Sequence, residues 1–153
     1  MRSASSFDDQ LAWYENDGAA NPTFTPRVLS AGEQGAQFVS VADLDQDGDL
    51  DVISVAEFPD AVDVSRIAYF MNDGATNPTF TRNAVDTTND RPVSVATGDL
   101  DGDGDLDLVS ASIISDTYLA YRNGGGQLGL TTEDTSPAEF VAGVSDDIFK
   151  VTA

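Results

Sequence analysis

Five aspartates stand within nine residues at 43–51, DLDQDGDLD, and five more in DLDGDGDLD at 99–107. Asp43, Asp45, Asp47, Asp49 and Asp51 take positions one, three, five, seven and nine of the first stretch. Asp99, Asp101, Asp103, Asp105 and Asp107 take the same positions of the second, and Gly48 and Gly104 both fall at position six. Alternating aspartates on a tightly turned loop direct oxygens toward one point, the glycine allows the sharp turn, and position seven typically offers its backbone carbonyl. Hard oxygen ligands in that number suit calcium, which accepts about six to eight oxygens at irregular angles, whereas magnesium demands a stricter octahedron. Without a cation the arrangement is costly. Two carboxylates about 4 Å apart repel by roughly 1 kcal/mol in water and by several at lower effective dielectric. A divalent ion reverses the sign of that contribution.

Two blander readings compete. Charge runs are usually solvated surface loops, but here the spacing and the glycine recur in register with their surroundings. An EF-hand loop starts alike, yet it requires an acidic residue at position twelve and helices on both sides. Position twelve is Ser54 or Ser110, and both flanks are strand-like.

The flanks belong to a longer repeat. LAWYENDGAANPTFT (11–25) returns as IAYFMNDGATNPTFT (67–81), 56 residues later, the same offset that carries Asp43 to Asp99. A weaker third copy, LAYRNGGGQLGL (119–130), lies 52 residues beyond the second. Each unit reads as short strands. FVSVAD and VSVATGD alternate up to the first aspartate, DVISVA and DLVSAS leave the last one, and aromatic-rich RIAYFMN and TYLAYRN follow, then PTFTPRVL and PTFTRNAV. Asn-Asp-Gly at 16–18 and 72–74 marks the turn joining the last two strands. Four strands per repeat of this length predict an all-β fold of β-propeller-type blades, each of four antiparallel strands.

The chain holds two and a half to three such blades: a partial blade over 1–30, a blade over 37–86 and another over 92–131. The partial blade lacks its inner strand and its aspartate loop. In the 131–153 tail, EFVAGV and DIFKVTA read as strands that complete it. Propellers usually have about four to eight blades, so the chain is expected to be a homo-oligomer or a fragment of a larger propeller. Trp13, Tyr69 and Tyr121 share one repeat position and are read as inter-blade core, as are Phe24 and Phe80; the competing role is an aromatic platform for a sugar.

Bulk composition narrows the partners. The 153 residues carry 27 acidic and 7 basic side chains, for a net charge of −20. Such a field repels nucleic acid and anionic membrane surfaces. No apolar run is long enough for membrane insertion, and MRSASSFDDQ lacks the apolar core of a signal peptide. There is no cysteine and no histidine, so thiolate metal sites and Ser-His or Cys-His dyads are ruled out.

VADLDQDGDLDVISV and ATGDLDGDGDLDLVSAS resemble the FG-GAP/VCBS-type repeat of integrin alpha propellers and many bacterial extracellular proteins, and the likeness spans most of 1–130. The resemblance implies calcium held by side chains at positions one, three, five and nine and by the carbonyl at seven. The implied ligand set is therefore Asp43, Asp45, Asp47, Asp49 and Asp51, then Asp99, Asp101, Asp103, Asp105 and Asp107. Two calcium ions per chain are expected, since VSDDIF in the tail has too few aspartates for a third loop. The expected function is a calcium-binding, secreted or cell-surface module for binding, adhesion or self-assembly, with a protein or glycan ligand. A lectin-like sugar binder is the alternative. A carboxylate-dependent glycan-active enzyme is the weaker one, and no catalytic residues are expected.

Overall fold

The computed structural model describes residues 2–4, 10–33, 35–56, 67–86, 91–113, 118–124 and 130–132. Eleven strands and no helix occur among them. β1 (Arg2–Ala4), β2 (Leu11–Asn16) and β3 (Phe24–Ser30) form a three-stranded sheet. β4 (Ala36–Ala42), β5 (Asp51–Ala56), β6 (Ile67–Asn72) and β7 (Phe80–Asp86) form a four-stranded one. β8 (Pro92–Gly98), β9 (Asp107–Ser112), β10 (Tyr118–Asn123) and β11 (Leu130–Thr132) form the third. Every pair of neighbours is antiparallel, and spatial order follows chain order. The fold is all-β, in blade-like sheets, as the repeat predicts.

Repetition in sequence becomes repetition in detail. The register of β4 on β5 slips between Ala36 and Phe38, and that of β8 on β9 between Pro92 and Ser94. Likewise β2 slips between Leu11 and Ala12, and β6 between Ile67 and Ala68. Bulges twist a strand locally, so equal bulges give the sheets equal shape and let them stack. β8 packs against β4 and β5, β1 lies beside β4, and β11 meets β7.

The second sheet is therefore covered on both faces. Strand side chains alternate between faces. Val52, Ala68 and Phe70 meet Leu11 of the first sheet, while Ile53, Val55, Ile67 and Tyr69 meet Val95, Leu108 and Tyr121 of the third. This is why β5 is buried at all six positions. Its β-branched run marks a strand with two dry faces.

The third repeat differs from the expected register. Phe70 pairs with Val52 and Tyr69 with Ile53, but Tyr121 pairs with Leu108 and Ala120 with Val109. Tyr121 is thus the counterpart of Phe70, and Asn123 that of Asn72, an offset of 51 residues rather than 52. The LAY triplet is misleading because LAYRN reaches its final asparagine one residue sooner than IAYFMN. Tyr69 and Tyr121 are both buried between the second and third sheets, as core residues. Phe80 packs against the Phe70 cluster, but Phe24 is 44% exposed, a correction to its expected core role. Its register partner is Asn16, and Val28 farther along the same strand is 59% exposed, so the outer part of β3 has no sheet laid over it among the described residues.

The two Asn-Asp-Gly segments begin loops longer than a two-residue hairpin. Asp73 accepts from the Thr79 backbone N–H at 3.0 Å and from its hydroxyl, and the Asp17 carboxylate takes the Thr23 hydroxyl at the same place. Those hydroxyls, with backbone amides, hold both carboxyls below the usual aspartate range. The expected strands of the 131–153 tail, beyond Thr132, lie outside the described residues.

Candidate metal centres

Each aspartate loop joins the first strand of a four-stranded sheet to the second, and its last aspartate closes it. Asp51 Oδ2 accepts from Leu44 N–H at 2.8 Å and Oδ1 from Asn72 N–H at 2.9 Å. Asp107 repeats this, accepting from Leu100 N–H at 2.7 Å and Asn123 N–H at 2.8 Å. Both aspartates are fully buried. Position nine therefore ties the start of the loop to the end of the neighbouring strand, a link carried by no local sequence signal. Within the loops, Gly48 N–H and Gly104 N–H each donate to the position-one carboxylate at 3.1 Å. The two glycines have φ of 97° and 98°, a region closed to side-chain-bearing residues at low cost. Asp47 N–H turns back on Asp45, and Asp49 N–H on Asp47, with the same turns from Asp101 through Asp105.

Carboxylate oxygens of Asp43, Asp45 and Asp51 lie within 4.8 Å of one another, as do those of Asp99, Asp101 and Asp107. Positions one, three and nine are thus brought together. The side chains of Asp47, Asp49, Asp103 and Asp105 stand outside these groups. Asp43 Oδ1 is buried and has no hydrogen-bond partner, whereas Asp99 Oδ1 takes Gly102 N–H at 2.7 Å. A buried carboxylate oxygen without a donor is unfavourable unless something positive meets it. Burial is the main cause raising the Asp51 carboxyl above its usual range, opposed by the Asn72 and Leu44 amides and reinforced by Asp45 and Asp47. Asp45 is raised too, first by desolvation and then by its anionic neighbours Asp47 and Asp43. The donor set and the partnerless oxygen fit a hard divalent cation.

The loops differ in their surroundings. Arg122 Nη1 lies 3.5 Å from Asp101 Oδ2, where the second sheet has Met71 at the corresponding position. Gly74, at φ 66°, packs so tightly on the Asp49 carboxylate that a Cβ there would collide with it. Gln46 Nε2 crosses to the second loop, donating to Gly104 O at 2.9 Å and Asp105 Oδ1 at 2.7 Å. Asn123 Nδ2 reaches Leu44 O at 3.2 Å, while Asn72 Nδ2 turns to Leu50 O of its own sheet. None of these cross-contacts has a sequence signature, because each joins residues far apart along the chain.

Burial removes Tyr69 and Tyr121 as sugar platforms. Trp13 is half-buried and lines an open groove of about 530 Å³ with Glu15, Arg27, Asn77 and Phe80. Arg27 Nη2 donates to Glu15 Oε2 at 2.8 Å along its wall.

Asp107 separates a structural role from a metal role. In Asp107→Asn, one backbone amide is left facing an NH₂ group, and a buried unsatisfied donor costs about 1–3 kcal/mol. Urea denaturation in excess chelator is expected to show that loss with no divalent ion present. Asp103→Asn, whose carboxylate stands outside the cluster, is expected to be neutral or stabilising under the same conditions.

The family described as FG-GAP-like repeat matches residues 3–54 and again 61–110, about two-thirds of the chain. Each matched unit runs through one aspartate loop into the strand after it, so the matched unit carries one loop and this chain holds two. No curated protein and no solved structure matches. With its all-β blades and its two in-register loops, the chain belongs to the FG-GAP-like repeat family.

Proposed function

We propose that the chain is a calcium-stabilised propeller module that serves binding or assembly outside the cytoplasm, without catalysis of its own. The observation that carries this is the pair of equivalent carboxylate clusters, each with a buried aspartate, and in the first loop a buried oxygen without a donor. In this reading Asp43, Asp45 and Asp51, and Asp99, Asp101 and Asp107, hold the ions, with the carbonyl at position seven adding to each shell. Extracellular modules commonly bind calcium at about 10⁻⁴ to 10⁻³ M, which suits the millimolar calcium outside cells. An ion bound only by the folded state adds stability of RT ln(1 + [L]/Kd), about 2.7 kcal/mol at a hundredfold excess.

Two faces remain for partners. Leu44 is 1% exposed between the second and third sheets, yet its counterpart Leu100, on the far side of the third, is 38% exposed. Leu106 packs against the second sheet, while its counterpart Leu50 is 47% exposed beside the sheet that has no fourth strand among the described residues. The position of Leu44 is thus covered inside the chain and bare at Leu100 on the outer side of the third sheet, and the position of Leu106 is bare at Leu50, where the first sheet offers no fourth strand among the described residues. In this reading a second copy docks head to tail, repeating the internal sheet-to-sheet interface.

A lectin-like role narrows to the Trp13 groove. Glycan-array binding abolished by Trp13→Ala would favour it; no binding to any glycan removes it.

Melting with and without calcium tests the main proposal. Calcium is expected to raise the melting temperature and chelation to reverse it; identical curves contradict the proposal. The pH dependence supplies a sign. Asp45 and Asp51 have raised folded values, so without metal the fold is penalised while they are ionised and gains as pH falls through those values toward 3.8. The metal-free protein is expected to gain stability as pH is lowered from neutrality toward 3.8, and the calcium-loaded protein to lose it, because protons compete with the ion.

Light scattering in calcium buffer tests the assembly. The expected mass is a multiple of the single chain, reduced to one chain by Leu100→Asp. A wild-type monomer contradicts it.

A further inference from the structure

Position four distinguishes the two loops. The second has Gly102 there with φ 82°, and the first has Gln46 with φ 60°. A residue with a side chain is uncommon in that region, where Asn, Asp and His are enriched and glutamine is not. The Gln46 side chain does something glycine cannot. Its amide nitrogen carries two hydrogens, and two acceptors on the other loop receive it: Gly104 O at 2.9 Å and Asp105 Oδ1 at 2.7 Å. These are positions six and seven, the left-handed turn and the residue after it.

We infer that Gln46 couples the two loops, so that a divalent cation entering one raises the affinity of the other. The inference rests on the cation-binding reading above. Gln46 lies between Asp45 and Asp47, so a loop wrapped on its ion fixes the backbone from which this amide projects. The fixed amide in turn holds the Gly104–Asp105 turn, which lowers the ordering that the second ion must impose. Linkage makes the effect reciprocal. Through-space electrostatics opposes it, because an ion in one loop weakens the anionic field at the other. That opposing effect is screened beyond about 8 Å at 0.15 M salt. A bridge of ordinary hydrogen-bond strength gives coupling of about three- to tenfold. The buried contact from Asn123, at the end of β10, to Leu44 O ties the first loop to the residue whose N–H holds Asp107, so losing Gln46 is expected to cut the coupling rather than abolish it.

Gln46→Gly is the clean variant, since it installs the residue of the second loop and keeps the backbone conformation accessible. Calcium titrations by calorimetry at about 0.15 M salt are compared in a cycle with Asp99→Asn/Asp101→Asn, which disables the second loop. Disabling that loop is expected to weaken the first by about three- to tenfold in the wild-type background, and by clearly less in Gln46→Gly. An equal effect in both backgrounds overturns the coupling, as does a wild-type protein whose two ions bind independently. A wild-type protein that takes up no calcium overturns this inference and the cation-binding reading together.

Discussion

Asp51 and Asp107 are charged groups in a dry place, and each is held there by two backbone amides from different parts of its sheet. A buried carboxylate is tolerated only when its oxygens are met by donors or by a positive charge. The amides meet part of that requirement, and in doing so fix the start of each loop against the strand next to it. They leave the second half of the problem open. Two further carboxylates converge on the same spot, and backbone hydrogen bonding alone does not neutralise three carboxylates whose oxygens lie within 4.8 Å of one another. Burial and mutual repulsion already push Asp45 and Asp51 toward the protonated form. A doubly charged ion between them would offset that repulsion.

From this constraint the larger architecture follows. A loop closed at position nine sets where the second strand starts, and so sets which side chains of β5 and β9 face each neighbouring sheet. Ile53 and Val55 turn one way and Val52 the other, and β5 is dry on both sides. Because the bulges recur at equivalent positions, the interface between the second and third sheets is built from parts that the third sheet also presents outward. Leu100 is the bare counterpart of Leu44. The molecule thus carries the same surface once satisfied and once not.

Much of this was legible in the sequence, for a local reason. Strand alternation, Asn-Asp-Gly turns and the aspartate spacing are short-range patterns, and the 56-residue repeat gives each two independent readings. The all-β, blade-like fold and the convergence of positions one, three and nine follow from them. What escaped was long-range or degenerate. LAYRN aligns naturally on the triplet LAY, and only the pairing of Tyr121 with Leu108 and of Asn123 with Asp107 shows the true register. Phe24 carries the same local pattern as Phe80, but burial depends on whether a sheet lies opposite, which no local window encodes. The carboxylates of Asp47 and Asp103 share the alternation of the clustered ones, yet they cap backbone amides two residues on. Gln46 gave no signal at all, since its partners lie 58 and 59 residues away.

On the proposed reading each loop is an anionic cage whose shape is set for a divalent guest. Anomalous diffraction from crystals grown in millimolar calcium tests it most directly. One peak is expected between Asp43, Asp45 and Asp51 and a second between Asp99, Asp101 and Asp107, at oxygen distances of about 2.3–2.6 Å. Two loops without density at either point, their carboxylates turned out into solvent, would contradict it.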